Sequence, residues 1–555
     1  MQNILNRMKT NWKSGVTVSL ISIPLSVSLA VASQSTPIAG IITAIWAGLV
    51  ASLLGGSIYN IVGPTGALSG VIAAYALTHG ADTISMLAIV TGIFVAVAYI
   101  FKLEKYLVFV PSSVMHGFTL GVAFIIGFGQ FNYAFGLHGL TKHEKFISNL
   151  SESFLHINQT YLPSLLVFLA FFIALIILRK LLPRVPGAIV LSPIGILLGY
   201  LGSQHIIPLQ LDTLGSNFTT ISGKLFQAPH LFFHMSLVST GFAVALVAIL
   251  ETMLSAKIAD GMTKTKHNER KEMLGLSLAN IASGLTGGIP ATAALARTSL
   301  NIKTGATDRI SGTINSVSIA VISLLFLGYF KYIPMAVIAS ILAMVAVNMV
   351  ETEHFIRYYR FDKVGFGVAL LVAFVTVYED PIVGILLGTA VALVIFMEKL
   401  SHGQFDLYLN KYKEGQVGMM SGEKLTEIKE NPDILLYSFK GTLMYINSQA
   451  HVRRFETNLK GYSAIVLRLR EVYFVDLDGV EALDEIIELI RHKGQKVVVT
   501  GVNAWIAELC EQNSKQYRHL KNEGLVFDKA TQALSYLGVQ ASEATLPPAT
   551  VPVQI

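Results

Sequence analysis

Two stretches of interrupted backbone, Gly63-Pro64-Thr65-Gly66 and Gly287-Gly288-Ile289-Pro290, stand inside apolar sequence, and each leads into a run of small residues. Proline suits the first turn of a helix, where its missing N–H costs nothing. Each stretch therefore reads as the start of a short membrane helix that begins inside the bilayer. A helix start offers unbonded amides and the positive end of the backbone dipole, so two starts that face each other form an anion site needing no fixed cation. Thr65 and Thr292 can add hydroxyl donors, while Gly66, Ala67, Ala293 and Ala294, with Leu295 beside them, leave the backbone open to a ligand. Small residues also let membrane helices pack closely. Two matching discontinuities are harder to explain by packing.

Glu251 is the acid that goes with this site, and Ser255 follows it one turn later on the same helical face. A carboxylate at mid-membrane costs about 2.5 to 3.5 kcal/mol even on insertion scales, so it implies a role or a partner. Reversible protonation, which would make Glu251 and Ser255 the coupling-ion site, is the role; a static ion pair with Lys257 or Arg297 is the alternative. Arg297 lies about 140° around the helix from Thr292, so it raises the local positive potential or fixes its helix without touching the ligand. Lys257 reads as a snorkelling anchor. His116, His267 and the other histidines show no metal-ligand spacing and read as packing or loop residues, so no metal and no cofactor is expected. Cys510 is the only cysteine, which excludes disulfides.

These residues need a membrane scaffold, and the composition provides one. Of 555 residues 53% are hydrophobic and only 14% charged, far from the soluble mixture of about 25% charged. Residues 401 to 555 hold 36 of the 76 charges, so a lipid-embedded part precedes a polar one. Fourteen apolar stretches run near 15 to 32, 38 to 58, 64 to 78, 84 to 101, 110 to 131, 162 to 180, 187 to 203, 237 to 257, 273 to 287, 291 to 302, 309 to 329, 332 to 349, 361 to 379 and 380 to 397. The third and tenth, which carry the two interruptions, are too short to span a core that needs about 20 helical residues.

The net charge of +6 comes with no basic run interleaved with aromatics, so it points to membrane orientation and not to nucleic acid. Arg7, Lys9 and Lys13 place residues 1–14 in the cytoplasm, and the run after them reads as a first span, not as a cleaved leader. Loops after even spans then hold Lys102 and Lys105, Arg179, Lys180 and Arg184, Lys264, Lys266, Arg270 and Lys271, and Arg357, Arg360 and Lys363. An even span count returns the C-terminal domain to the cytoplasm, and the membrane is the cytoplasmic (inner) one.

The transmembrane part, 15–400, also repeats. Gly15-Val16-Thr17-Val18 lies over Gly241-Phe242-Ala243-Val244, Pro64 over Pro290, Val110-Pro111 over Ile333-Pro334, and Pro193-Ile194 over Pro381-Ile382, in the same order. This sets repeat 15–203 on repeat 237–397. Seven spans is an odd number, so the repeats have opposite topology, the usual construction of a secondary transporter. After a charged linker at 401–433, alternating strand and helix patterns over 434–539 indicate a small α/β domain. The tail 540–555 reads as disordered. The expected fold is an all-α polytopic membrane protein of fourteen spans in two inverted seven-span repeats, plus a small cytoplasmic α/β domain.

The run from Glu251 through Asp260-Gly261-Met262-Thr263-Lys264-Thr265-Lys266-His267-Asn268, then Leu278-Ala279-Asn280-Ile281, Gly287-Gly288-Ile289 and Ala294-Leu295-Ala296-Arg297-Thr298, resembles the signature stretch of the sulfate permease (SulP) family of anion transporters. The similarity continues at Ile23-Pro24, Gly63-Pro64-Thr65 and Val114-Met115-His116-Gly117-Phe118, and into the C-terminal STAS domain. It implies a core domain of spans 1 to 4 and 8 to 11, a gate domain, a homodimer and an elevator motion. It also implies that Pro24 and Ser26 join Thr65, Gly66, Ala67, Thr292, Ala293, Ala294 and Leu295 at the substrate, with Glu251 and Ser255 at the coupling ion and Arg297 as electrostatic support.

Departures from the family pattern are Ala296, where many members carry serine, and Leu29, where an aromatic is common. With Glu251 in place of the aspartate of cyanobacterial sodium-bicarbonate members, they bring the chain closest to the bacterial dicarboxylate-type branch. The STAS loop reads Asp476-Leu477-Asp478-Gly479, which removes the phosphorylatable serine and leaves a module that stabilises a dimer or docks a cytoplasmic protein. The expectation is a non-enzymatic, proton-coupled symporter of sulfate, bicarbonate or a four-carbon dicarboxylate. Sodium coupling and a passive channel or exchanger are its alternatives.

Overall fold

The computed structural model describes residues 2–141, 143, 145–181, 187–217, 225–229, 235–379, 381–410, 417–420, 434–457 and 462–538. Arg184, Asp380, the tail 540–555 and parts of the expected linker lie outside the described residues. The chain forms two compact units, Met1–Ala392 and Leu393–Ile555.

The first unit is helical. It begins with α1 (Gln2–Ala32), α2 (Pro37–Leu54), β1 (Val62–Gly63), α3 (Gly66–His79), α4 (Ile84–Ile100) and α5 (Ser112–Phe128). Short α6 (Phe131–Phe135) and α7 (Phe146–Leu155) precede α8 (Leu162–Leu181), α9 (Gly187–Ser203) and the single turn α10 (Leu214–Asn217). Next come α11 (Met235–Thr263), α12 (Glu269–Leu285), β2 (Thr292–Ala293), α13 (Leu295–Lys303), α14 (Ile310–Phe330) and α15 (Met335–Met349). The unit closes with α16 (Thr352–Phe361), α17 (Lys363–Tyr378) and α18 (Pro381–Ser401), the last of which runs into the second unit. Among the described residues eight helices are long and apolar enough to cross a membrane, and Gly187–Ser203, Ile310–Phe326 and Lys363–Tyr378 are shorter apolar helices.

Two differences from the sequence reading bear on the site. The second span stops at Leu54, because Gly55 and Gly56 break it and the chain turns through 55–61. Neither Pro64 nor Pro290 lies in a first helical turn: α3 starts at Gly66 and α13 at Leu295. The residues between are taken by a ladder, β1 against β2, antiparallel, with Val62 opposite Ala293 and Gly63 opposite Thr292. The turn from α11 to α12 is self-bonded. Asp260 accepts from the His267 amide at 2.9 Å and from Thr265 Oγ1 at 3.1 Å, and Asn268 caps α12 by accepting from the Lys271 amide at 2.9 Å.

The second unit is a six-stranded sheet in the order β4-β3-β5-β6-β7-β8. Its strands are β3 (Gln404–Asn410), β4 (Val417–Met420), β5 (Ile434–Leu443), β6 (Ala464–Val475), β7 (Lys496–Thr500) and β8 (Val526–Phe527), flanked by α19 (Ser448–Thr457), α20 (Leu477–His492), α21 (Ala504–Asn513), α22 (Lys515–Asn522) and α23 (Ala530–Tyr536). Strands β5 to β8 are parallel, and β3 pairs antiparallel with β4 and β5. Successive side chains alternate faces, so Leu435, Leu467 and Val499 pack with Leu483 and Ile487 while Leu436, Val466 and Val498 pack with Ala533 and Leu534. Residues 404–410 and 417–420, expected as linker, are therefore strands of this sheet. Asp476 caps α20, accepting from the Gly479 amide at 2.8 Å and the Tyr445 amide at 3.0 Å. Cys510 is fully buried, and burial pushes its thiol up to about 12.

Candidate functional site

The β1–β2 ladder sets the two interrupted segments side by side, and because the pairing is antiparallel, α3 and α13 leave it in opposite directions. The residues before them, Thr65 and Ala294, are extended, and neither makes a side-chain cap. The first amides of a helix have no acceptor inside it, so each start presents donors and the positive end of a dipole. Both helices pack against α1 and α11.

Helix α11 forms the wall behind them. Thr65 Oγ1 donates to Glu251 Oε2 at 2.9 Å. Thr292 Oγ1 donates to the Ala248 carbonyl at 3.0 Å and lies 2.7 Å from Thr252 Oγ1, which accepts from the Ala293 amide at 3.1 Å. The two hydroxyls expected to reach a ligand are thus engaged with α11, and they tie each helix start to the helix that bears the acid. Glu251 is partly buried, and among the described residues it has no ion-pair partner within 4.0 Å. Lys257 is exposed.

Arg297 is only 2% exposed and donates through Nη2 to the Pro64 carbonyl, so it pins α13 to the segment entering α3. Gly63 makes room for it: a Cβ there would lie 2.6 Å from Arg297 Nη1, which has no hydrogen-bond partner among the described residues.

The other expected residues divide. Gly66 is buried and faces the opposite helices, where a Cβ would lie 2.3 Å from Ile126 Cδ1 of α5 and 3.5 Å from Met349 Sδ of α15. Ala294 and Leu295 are partly accessible, while Ala67 is buried. Pro24 and Ser26 are buried in α1, and Ser26 Oγ has no hydrogen-bond partner among the described residues. Ala293 is fully buried and packs among Ala47, Ala51, Val62, Ala279 and Ala291. Ser255 Oγ donates to Asn60 Oδ1 at 3.1 Å and lies 3.0 Å from Thr298 Oγ1, and so belongs to the framework beneath Glu251.

Sequence reasoning missed the parts that hold this framework. Glu272, 4% exposed, accepts from the Gly56 and Ser57 amides at 2.7 Å each and from Asn60 Nδ2 at 2.6 Å. It fixes the turn entering β1. An acid one residue ahead of an apolar run was the available signal. Thr252 and Ile126 had none, since neither residue type is unusual in a membrane helix. A cavity of 340 Å³ runs along α3 past Leu77, Ala74 and Ser69 to Ile126, ending one turn from Thr65.

Long apolar helices bundled around two short ones whose starts meet define a multi-pass membrane transporter. The chain belongs to the Sulfate permease family, which it matches over residues 8–372, and carries a STAS domain over 426–515. It is 29% identical over 514 residues to a putative sulfate transporter, YvdB, of Bacillus subtilis, covering 91% of this chain and 93% of that one. It is 25% identical over 515 residues to the bicarbonate transporter BicA of Picosynechococcus sp., covering 88% and 87%. Its fold matches that of the murine Solute Carrier 26 family member A9 anion transporter, solved in the inward-facing state, with a TM-score of 0.81 at 14% identity over 96% of this chain and 91% of that one.

Proposed function

We propose that this protein is a proton-coupled secondary transporter of small anions, with sulfate, bicarbonate and four-carbon dicarboxylates as candidate substrates. The observation that carries the reading is the hydrogen bond from Thr65 to Glu251 at an uncapped helix start paired with a second one. The helix starts and Arg297 attract an anion, while an ionised Glu251 beside them repels it. At roughly 6 Å and an effective dielectric of about 20 that repulsion is about 3 kcal/mol, enough to make anion binding favour a protonated Glu251. Loading both and releasing both is symport.

The same reading takes the fourteen spans as two inverted seven-span repeats, divided into a core that carries the site and a gate that includes α5 and α15. The core moves as an elevator. Support comes from the antiparallel β1–β2 pairing, which is what two inverted repeats would produce where their broken helices meet. Residues 1–14 and the STAS domain face the cytoplasm, the membrane is the inner one, and the protein is a homodimer.

Similarity to a bicarbonate transporter supports a second reading, sodium-coupled bicarbonate uptake. Reconstituted protein assayed against labelled sulfate, bicarbonate and succinate, with proton and sodium gradients imposed separately, decides between them. Accumulation driven by protons alone is the expected outcome. Accumulation driven only by sodium favours the second reading, and none under either gradient contradicts both.

A further inference from the structure

Away from the helix starts, three side chains of metal-ligating type meet where α5 begins and α15 gives way to α16. His116 stands on α5, Glu351 immediately precedes α16, and His354 lies in the first turn of α16. Although 235 residues separate the first two, His116 Nδ1 bonds to Glu351 Oε2. The His354 ring stacks on His116 with centroids 4.2 Å apart. One ligand atom from each of the three lies within 4.8 Å of the other two, and each residue keeps some solvent exposure.

Ligand atoms held about 2.0–2.2 Å from a common metal sit roughly 3–3.6 Å apart, so small side-chain rotations close this group around one ion. We propose that His116, Glu351 and His354 bind a divalent transition-metal ion, with zinc the best fit. Two imidazoles and one carboxylate are borderline ligands that suit zinc and leave a fourth position for water, whereas magnesium and calcium take oxygen donors. The ion replaces the proton shared by His116 and Glu351 and recruits His354, which otherwise contributes a stacked ring. It thereby links α16 to α5, the helix whose far end places Ile126 against Gly66.

The binding does not rest on the transport reading, so the test measures binding. Full-length protein in detergent, stripped with a chelator, is titrated with zinc against a chromophoric competitor. The wild type takes up one saturable zinc per chain, His354→Ala and Glu351→Gln each weaken it at least tenfold, and His138→Ala, a histidine paired elsewhere with Asp212, leaves it unchanged. Both weakened variants keep the wild-type melting temperature in the absence of metal, which separates loss of a ligand from loss of fold. Absence of saturable zinc in the wild type, undiminished affinity in His354→Ala, or displacement of zinc by a hundredfold excess of magnesium overturns the proposal.

Discussion

Glu272 shows how much of the site depends on a residue that touches no ligand. Its carboxylate takes three N–H donors from the turn ahead of β1, and Asn60, one of the three, also receives the hydroxyl of Ser255. Removing one acceptor would strand all of them in a dry interior, so Glu272→Ala should cost roughly 3 kcal/mol or more, read as a fall in the melting temperature of purified protein. A second residue-scale outcome lies in the STAS unit. His451 is fully buried and lies 2.7 Å from the Tyr437 hydroxyl, and burial, with the Arg454 guanidinium beside it, pushes its imidazole down to about 3 from 6.5. A base that resists protonation when folded but accepts a proton when unfolded contributes stability fully above about pH 6.5, and that contribution is lost as pH falls towards about 3. Local stability around α19 should therefore drop by up to about 1.4 kcal/mol per pH unit below about 6.5. Hydrogen exchange over residues 448–457 in the intact chain between pH 7.5 and 5.5 measures this, and His451→Gln should flatten the dependence.

At the scale of elements, the sequence was legible wherever one period or one break ruled. Short apolar runs between helical patterns marked β5, β6 and β7, and the two Gly/Pro interruptions marked the broken helices, because those signals are local. What escaped was set by partners far along the chain. The β1–β2 ladder joins segments more than two hundred residues apart, each two residues long, and no window contains it. β3 and β4 were hidden for a related reason: they lie in a charged stretch whose strand character depends on β3 pairing with β5 and β4 with β3. The site residues divide along the same line. Thr65, Glu251, Gly66 and Arg297 are brought together, but the burial of Ala293 in the small-residue cluster behind the ladder could not be read from its type. The ladder yields its own test. A methyl group at Gly63 would meet the Arg297 guanidinium at 2.6 Å and push it off the Pro64 carbonyl. Gly63→Ala should destabilise by about 2–4 kcal/mol through overpacking and the lost hydrogen bond, measured by thermal unfolding. Gly70→Ala, whose added carbon would meet its nearest neighbour, Ile125, at an ordinary 3.4 Å, is the matched control and should change little.

Over the whole molecule, the helical unit carries both the facing helix starts and the acid beside them, and the proposed transport step is assigned to that unit. In the proposed cycle proton and anion are coupled through Glu251, joined by Thr65 to the start of α3. Glu251→Gln keeps an acceptor for the Thr65 hydroxyl and removes the charge, which fixes the site in the state equivalent to the protonated acid. Were Glu251 merely a structural counter-charge for buried Arg297, the same change would leave a cation unpaired at a cost of about 3–5 kcal/mol, and the protein would lose its stability. The measurement is labelled-anion flux into proteoliposomes containing Glu251→Gln protein, with and without an imposed proton gradient. The expected result is a folded variant that exchanges anion for anion with or without the gradient and does not accumulate it when protons are supplied. A stable variant that still accumulates anion with the pH dependence of the wild type would contradict it.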